Sequence, residues 1–275
     1  MLDTRTKRAN FRALHSQGCF VLPNPWDLGS ARLLQHLGFT ALASTSSGFA
    51  WTTGRPDYGV TRDDVLAHLM LLCAATDLPV NADFQEGFAD APEGVAANVT
   101  MAVATGVAGL SIEDRKLGGG GLYDFDYAVA RIKAARAAID RSGEDVILVA
   151  RTEGLLGEGF TVSDAIDRLV AFAEAGADCL YAPGVKAKAD IAAMVQAVAP
   201  KPLNVLMSGP GFTVAELADL GVRRISIGGA LARVAWGAML KVADEIKQGS
   251  FDGLAAAASG KTLNGIFAEF GSKQA

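Results

Sequence analysis

A helix that ends at glycine and is followed at once by an apolar strand recurs along this 275-residue chain. Glycine is the usual left-handed residue just past a helix C-terminus. The first three copies lie about 70 residues apart, which fits two βα units of about 35 residues each, and eight units would take about 280 residues. The pattern therefore predicts an α/β fold, a (β/α)8 TIM barrel, with a doubly wound open sheet as the alternative. The copies are HLGFTALAS (36–44), ATGVAGLSIED (104–114), EAGADCLYAPG (174–184) and DLGVRRISIGG (219–229).

The predicted strands are apolar at nearly every position, which is typical of a parallel sheet buried on both faces. We expect a single domain, 1–275, with the barrel at about 18–248. A leading helix is expected at 4–17, further C-terminal helices at about 251–270, and a long loop at 46–57. The eight predicted strands are 20–25, 41–45, 79–84, 110–114, 146–152, 179–183, 202–207 and 223–228.

Charge and composition exclude several classes of partner. The net charge is −5 and no Lys/Arg cluster is present, which argues against nucleic acid. Apolar runs are too short for a membrane span, and the N-terminus has no apolar signal region. Cys19, Cys73 and Cys179 form no zinc or redox motif. We therefore expect buried, reduced thiols in a cytoplasmic protein.

The stretch 110–121 joins a buried strand to a loop that cannot hold regular structure. The strand ends at Glu113 and Asp114, and four consecutive glycines follow: Gly118, Gly119, Gly120 and Gly121. In an α/β barrel the C-terminal ends of the strands carry the chemistry. We interpret the glycines as a mobile lid, with a passive connector as the alternative. They are not a P-loop, because no Gly-Lys-Ser/Thr sequence follows.

Polar residues gather at the predicted strand ends. Carboxylate and amide oxygens from several strands select a hard cation, Mg²⁺ or Mn²⁺. An arginine one strand further on suits a bidentate carboxylate held by that metal, and a Ser-Ser-Gly turn offers backbone N–H groups to the same anion. The residues are Ser46, Ser47, Gly48, Asp57, Asn81, Asp83, Glu113, Asp114, Arg151 and Glu153.

Structural interpretations of the same residues stay open. Asp83 and Glu113 could form an ion cluster with Arg151 inside the barrel. Asp114 and Glu153 could pair at the rim. Asp57 could be a turn residue, and Asp27 a helix cap.

Missing residue types narrow the chemistry further. His15, His36 and His68 all fall in predicted helices, so histidine acid–base catalysis is not expected. No lysine ends a strand, which disfavours a Schiff-base aldolase. Electrostatic and metal-assisted catalysis remain.

The order of STSSGFA, GRPD, VNADF, SIED, ART and RISIGGALAR resembles the isocitrate lyase/phosphoenolpyruvate mutase superfamily over roughly residues 10–248. The chain is most similar to the shorter members close to methylisocitrate lyase and the 2-oxo-acid decarboxylases. The resemblance implies an α/β barrel with Mg²⁺ at its C-terminal face, a 2-oxo or 2-hydroxy carboxylate substrate and a metal-stabilised enolate. It also implies homo-dimers or homo-tetramers, often with a swapped last barrel helix.

The resemblance also implies roles for individual residues. Ser46–Gly48 match the turn that binds the substrate carboxylate and oxo group. Asp57, Asp83 and Glu113 match the acids that hold Mg²⁺, mostly through water. Arg151 matches the arginine that steadies the substrate oxygen. Asn81 falls where the family usually has an Asp that touches the metal directly.

The lid departs from the family pattern. RKLGGGGLYDF contains neither the Cys and His of the lyases nor the Lys with Asn or Thr of the mutase group. We therefore expect a Mg²⁺-dependent carbon–carbon lyase or decarboxylase for a small 2-oxo or 2-hydroxy dicarboxylic acid, without the usual cysteine acid. The alternatives are a barrel that binds 2-oxo acids without turnover and C–P bond chemistry on phosphonopyruvate.

Overall fold

The structure is a computed structural model that describes residues 2–271. Within that range, eight parallel strands follow the order β1-β8-β7-β6-β5-β4-β3-β2. The edge between β1 and β2 is closed by a hydrogen bond from the Ala43 amide to the Pro23 carbonyl, at 3.0 Å. The strands are β1 (Phe20–Leu22), β2 (Leu42–Ala43), β3 (Val80–Asp83), β4 (Gly109–Glu113), β5 (Ile147–Arg151), β6 (Cys179–Tyr181), β7 (Leu203–Leu206) and β8 (Arg224–Ser226).

Helices surround this sheet. Threonine begins several of them by accepting a backbone N–H at the N-cap, as Thr61, Thr161 and Thr213 do. Short 3-10 turns occupy Gly154–Leu156 and Asp252–Ala256. The helices are α1 (Thr4–Ser16), α2 (Leu28–His36), α3 (Ser46–Thr52), α4 (Arg62–Ala75), α5 (Pro92–Ala104), α6 (Phe125–Ser142), α7 (Val162–Glu174), α8 (Lys188–Val198), α9 (Val214–Asp219), α10 (Ala230–Lys247) and α11 (Gly260–Gly271).

Two apolar clusters form the core. The larger lies between the sheet and the surrounding helices, and the smaller fills the barrel interior with residues such as Phe20, Val149 and Cys179. Because strand side chains alternate between the two faces, strands such as β2 and β6 supply both clusters. This arrangement buries the strands on both sides.

Helix α1 closes the amino end of the barrel. Phe11 is fully buried in the interior cluster. Lys7 Nζ donates to the carbonyls of Cys73 and Thr76, and Arg8 donates to those of Val103 and Val107. These bonds satisfy carbonyls at helix ends and connecting loops, so the plug is anchored as well as packed.

The predicted TIM barrel with additional N- and C-terminal helices is confirmed. The predicted long loop at 46–57 is wrong in part, because Ser46–Thr52 is helical. Thr45 caps this helix by accepting the Gly48 N–H, and Ala50 is buried. The predicted buried thiols hold for Cys73 and Cys179, while Cys19 is half-buried. Among the described residues, no helix is both long and apolar enough to span a membrane.

Candidate active site

Arg151 is the centre of a group of acids at the carboxyl end of the barrel. It ends β5, where it lies beside Glu113 on β4 and Tyr181 on β6. Its Nη1 is 3.6 Å from both Asp83 Oδ1 and Glu113 Oε2, and its Nε pairs with Glu153. Burial opposes its charge, but Glu153 and Glu113 outweigh this effect and hold the pKa of Arg151 well above its usual value.

Glu113 is almost completely buried, with 2 % of its surface exposed. Burial raises the pKa of Glu113 to about 8, although Arg151 acts in the opposite direction. The Tyr58 hydroxyl donates a 2.8 Å hydrogen bond to its Oε1. The protonation state of Glu113 therefore depends on the positive charge close to it, because a nearby cation favours the ionised carboxylate.

Asp83 has one carboxylate oxygen fixed and one free. Its Oδ2 accepts a 3.0 Å hydrogen bond from the Ser46 amide at the start of α3. Its Oδ1 is buried without a hydrogen-bond partner, since the contact with Arg151 at 3.6 Å is too long for one. A buried carboxylate oxygen left in this state is suited to a cation.

Asp57 joins this group through α3. The Ser46 side chain is hydrogen-bonded to Asp57, while the Ser46 amide binds Asp83. Partial desolvation at the mouth of the barrel, followed by the charge of Asp83, raises the pKa of Asp57. Two acids from different loops are thus held by one serine.

The rest of the predicted Ser-Ser-Gly turn forms the first turn of α3. The Gly48 amide donates to Thr45 Oγ1, and Ser47 Oγ lies 3.3 Å from the same oxygen. A Cβ at Gly48 would lie 2.6 Å from Thr45 Cγ2, so only glycine fits here. Ser46 reaches the acid group directly, whereas Gly48 shapes the turn behind it.

Asn81 is not brought to this group. It lies two residues before Asp83 on β3, roughly 6–7 Å deeper in the barrel. Its Nδ2 donates to the Ala82 carbonyl, and its Oδ1 faces the buried Arg224 at 3.4 Å. The contribution of Asn81 to a metal site therefore stays a prediction, and in this structure its side-chain oxygen faces Arg224. Both side chains point inward, but they occupy different layers of the barrel interior.

Asp114 and Glu153 follow the structural interpretation. Asp114 pairs with Arg168 at 3.1 Å and accepts the Glu153 amide at 2.9 Å. Glu153 pairs with Arg151. Asp27, the other acid with a structural alternative, caps α2 by accepting the Ser30 amide.

Sequence reasoning missed the pair Gln85–Glu86, just after β3. Both side chains are buried and line a cavity of about 300 Å³ together with Asp57. Gln85 Nε2 has no hydrogen-bond partner, and Glu86 forms no ion pair among residues 2–271. Burial raises the pKa of Glu86, and Asp83 adds to the effect. Their position directly after a strand end could have identified them as candidate site residues from the sequence.

Three non-glycine residues near this cavity have left-handed backbones: Tyr58 with φ 61°, Gln85 with φ 48° and Phe88 with φ 54°. Such conformations persist only where the surroundings enforce them, and they concentrate at functional sites. Arg131, fully buried on α6, holds the segment that contains Gln85 and Phe88 by donating to the carbonyls of Glu86, Ala89 and Asp90.

The glycine-rich loop is a short hairpin above the acids. Arg115 and Leu122 form an antiparallel bridge at its base, and the Lys116 amide donates to the Gly121 carbonyl at 2.9 Å. Gly118, Gly119, Gly120 and Gly121 have φ between 76° and 96°. The loop separates the 300 Å³ cavity from a second one of about 460 Å³ beside Glu153 and Phe160.

The residues present fit a hard cation. No set of three His, Cys, Asp or Glu side chains encloses a metal directly anywhere in residues 2–271. Mg²⁺ does not need one, because it keeps several waters and binds through one or two carboxylates. The free Oδ1 of Asp83, with Glu113 and Asp57 nearby, supplies that kind of donor.

A parallel α/β barrel with an arginine among carboxylates beneath a glycine-rich hairpin is suited to binding small anions. The phosphoenolpyruvate phosphomutase family model matches residues 11–247. The chain belongs to this family, within the isocitrate lyase/PEP mutase superfamily, as the motifs predicted.

Relatives of known sequence or structure cover most of the chain. An oxaloacetate decarboxylase of Paraburkholderia xenovorans is 31% identical over 236 residues, which are 82% of this chain and 76% of that protein. A Burkholderia cenocepacia J2315 protein described as a lyase/mutase is 45% identical to this chain and superposes with a TM-score of 0.93. The match covers 96% of this chain and 97% of that protein.

A 2,3-dimethylmalate lyase of known crystal structure is 28% identical to this chain, with a TM-score of 0.84. The match covers 100% of this chain and 98% of that protein. The superfamily thus contains lyases and decarboxylases that act on small carboxylic acids, which supports an enzyme of carbon–carbon bond cleavage.

Proposed function

We propose that this protein is a Mg²⁺-dependent carbon–carbon lyase or decarboxylase for a small 2-oxo or 2-hydroxy dicarboxylic acid. The observation that carries the proposal is Arg151, whose guanidinium is held among Asp83, Glu113 and Glu153 at the strand ends beneath the lid. Mg²⁺, or Mn²⁺ in its place, supplies a Lewis acid for negative charge on a substrate oxygen when it is bound.

One set of side chains binds the cation, and another set binds the substrate. Asp83, Glu113 and Asp57 would hold the cation, and the Oδ1 of Asp83, which has no hydrogen-bond partner, would be available to it. Arg151 and the first turn of α3 hold the substrate carboxylate and 2-oxo group. Asn81 supports this arrangement from the layer below.

In a 2-oxo acid, cleavage of the C3–C4 bond releases the C4 carboxylate as CO2 and leaves the electron pair on the enolate of a pyruvate-like product, which then takes up a proton. In a 2-hydroxy acid, the hydroxyl proton is lost, the C2–C3 bond breaks, and the electron pair stays on the enolate of the departing carboxylic acid until it takes up a proton. Arg151 faces the oxygen on which this charge develops and stabilises it electrostatically. The loop at Gly118–Gly121 closes over the site and excludes water. The histidines take no part, since all three lie in helices: α1, α2 and α4.

Turnover assays test the proposal. Oxaloacetate, 2,3-dimethylmalate and 2-methylisocitrate are each supplied with Mg²⁺ or with EDTA. We expect turnover of one or more with Mg²⁺ only, and a loss of at least about 100-fold in Asp83→Asn and Arg151→Met. Asp126→Asn and Arg141→Met, on the exposed surface of α6, are the charge-matched controls. Unchanged turnover in both site variants would refute the assignment.

Two other functions give different results in the same assays. Binding without turnover is favoured by a lid that has neither Cys nor His, and it predicts a raised melting midpoint with no product. C–P bond chemistry predicts phosphate release from phosphonopyruvate.

We also propose a homo-dimer or homo-tetramer. Of the side chains on α10, only Ala232 is buried, while Val234, Met239 and Leu240 are at least half exposed. A helix with this apolar surface is suited to a second copy of the chain. Leu240→Asp should lower the mass found by light scattering, and Lys241→Asp is the control. The free thiols of Cys19, Cys73 and Cys179 support a cytoplasmic location.

A further inference from the structure

Arg115 stands at the base of the lid without an ionic partner. It follows Asp114 directly and pairs through its backbone with Leu122. Its guanidinium makes no ion pair and no hydrogen bond within the part of the chain that the structure describes. Two other arginines at this end of the barrel are neutralised, Arg151 by three acids and Arg168 by Asp114.

The Arg115 guanidinium is held in place by an aromatic ring. Its central carbon lies 4.2 Å from the centroid of Tyr58, and the Tyr58 hydroxyl is in turn fixed on Glu113. Stacking uses the face of the guanidinium and leaves the N–H groups along its edge free. Those groups form the planar fork that matches a carboxylate.

Arg115 lines both cavities at the mouth of the barrel. The 300 Å³ cavity contains Asp57 and Glu86, and the 460 Å³ cavity contains Glu153 and Phe160. Glu86 is close enough for the charge of Arg115 to lower its pKa, yet beyond ion-pair distance. The unpaired fork therefore faces open volume instead of a protein carboxylate.

We propose that Arg115 binds the second carboxylate of the substrate and selects dicarboxylates over monocarboxylates. The inference rests on the proposed function, in which Arg151 and the acids hold the first carboxylate. Tyr58 connects the two carboxylate-binding positions, since it contacts Arg115 through its ring and Glu113 through its hydroxyl. Because Arg115 belongs to the stem of the lid, a bound dicarboxylate also ties the lid to the site.

A matched ligand pair isolates this contact. Malate and 2-hydroxybutyrate share a four-carbon 2-hydroxy acid skeleton, and only malate has a carboxylate at the far end. Oxalate is too short to reach beyond the Arg151 end. Affinities for all three are measured by calorimetry with Mg²⁺ present, in the wild type, Arg115→Met, Arg115→Lys, Lys116→Met and the exposed control Arg141→Met.

We expect the wild type to bind malate about 10- to 100-fold more tightly than 2-hydroxybutyrate. Arg115→Met should abolish this preference and leave oxalate binding unchanged. Arg115→Lys should keep part of the preference, because it retains the charge but loses the fork. Arg141→Met should behave as wild type.

Other outcomes overturn the inference. An equal loss for malate and 2-hydroxybutyrate in Arg115→Met would show that Arg115 only supports the fold through Tyr58. A preference lost in Lys116→Met but kept in Arg115→Met would place the contact on the neighbouring lysine. If the wild type binds oxalate but does not prefer malate over 2-hydroxybutyrate, the role of Arg115 is refuted while the proposed function stands. Wild type that binds none of the three ligands would refute the proposed function as well.

Discussion

Tyr58 and Glu113 are joined by a 2.8 Å hydrogen bond, although 55 residues separate them in the chain. Tyr58 reaches the carboxylate from a left-handed backbone conformation after α3, and Glu113 receives the bond at the end of β4. The bond favours the ionised form of Glu113 and so lowers its pKa against the effect of burial. It is also the connection through which the lid residue Arg115 reaches the acid group.

Tyr58→Phe removes this hydrogen bond and keeps the ring under Arg115. We expect a loss of about 1 kcal/mol in unfolding free energy. The pH at which Mg²⁺ binding is half-maximal should move upward, because Glu113 then ionises less readily. Denaturant unfolding measures the change in stability, and calorimetric Mg²⁺ titrations at several pH values measure the shift in binding. An unchanged pH profile would show that the bond does not control the ionisation of Glu113.

Glu113 should make the metal-free protein less stable as pH rises. Its folded pKa, about 8, lies above the ordinary glutamate value of 4.5, so the folded state binds the proton more tightly. The resulting stability is fully present below about pH 4.5 and is lost as pH rises through 8. We expect a difference of up to about 5 kcal/mol between these limits.

Denaturant unfolding in EDTA from pH 5 to 9 measures this slope, and Glu113→Gln is the comparison. The variant cannot titrate at that position, so its stability should fall less steeply over the range. Parallel curves for the two proteins would contradict the assignment of the raised pKa.

Glu86→Gln should stabilise the metal-free protein at pH 8. The substitution removes a carboxylate that is 3 % exposed and has no ion pair in the described chain. The expected gain is about 0.5–1.5 kcal/mol. Glu174→Gln, on an exposed position at the end of α7, should change stability by no more than a few tenths of a kcal/mol. A loss of stability in Glu86→Gln would show that its carboxylate is needed for the fold.

The lid glycines should affect turnover more than stability. Gly119 and Gly120 have φ of 92° and 91°, where alanine costs about 1–2 kcal/mol per residue, but no atom blocks a Cβ closer than 3.9 Å. The hairpin can relax without unfolding the barrel. The double alanine variant should therefore lower the turnover number several-fold and leave the melting midpoint within about 2 °C of wild type.

Gly143→Ala is the opposite control. Gly143 has φ 69° at the end of α6, also with open space around it. Its substitution strains a helix terminus far from the site, so we expect a lower midpoint and unchanged turnover. The same response in both variants would remove the argument for a lid.

The barrel could be predicted because its signals are local. A glycine past a helix and an apolar strand after it lie within about ten residues, and their spacing repeats. Helix α3 was missed because Ser46, Ser47 and Gly48 have the composition of a loop. Its formation depends on the Thr45 cap and on a bond from Ser46 to Asp83, which is 37 residues away.

The site was predicted less completely than the fold, because depth within a barrel is not visible in a strand pattern. Asn81 and Asp83 share the inward face, but only contacts with distant residues show that Asn81 lies at the level of Arg224. The backbone of Glu86 is similarly held by Arg131, which donates to its carbonyl from 45 residues away in the chain.

The plug formed by α1 has a consequence for the order of events in a catalytic cycle. Phe11 and its neighbours fill the amino end of the barrel, so in the proposed reaction substrate would enter, and products would leave, on the side that the glycine hairpin covers. A hairpin that closes over bound substrate would then have to open once for entry and once for release. Solvent viscosity should then slow the steady-state rate whenever hairpin motion limits it, and the last product to leave should compete with the next substrate.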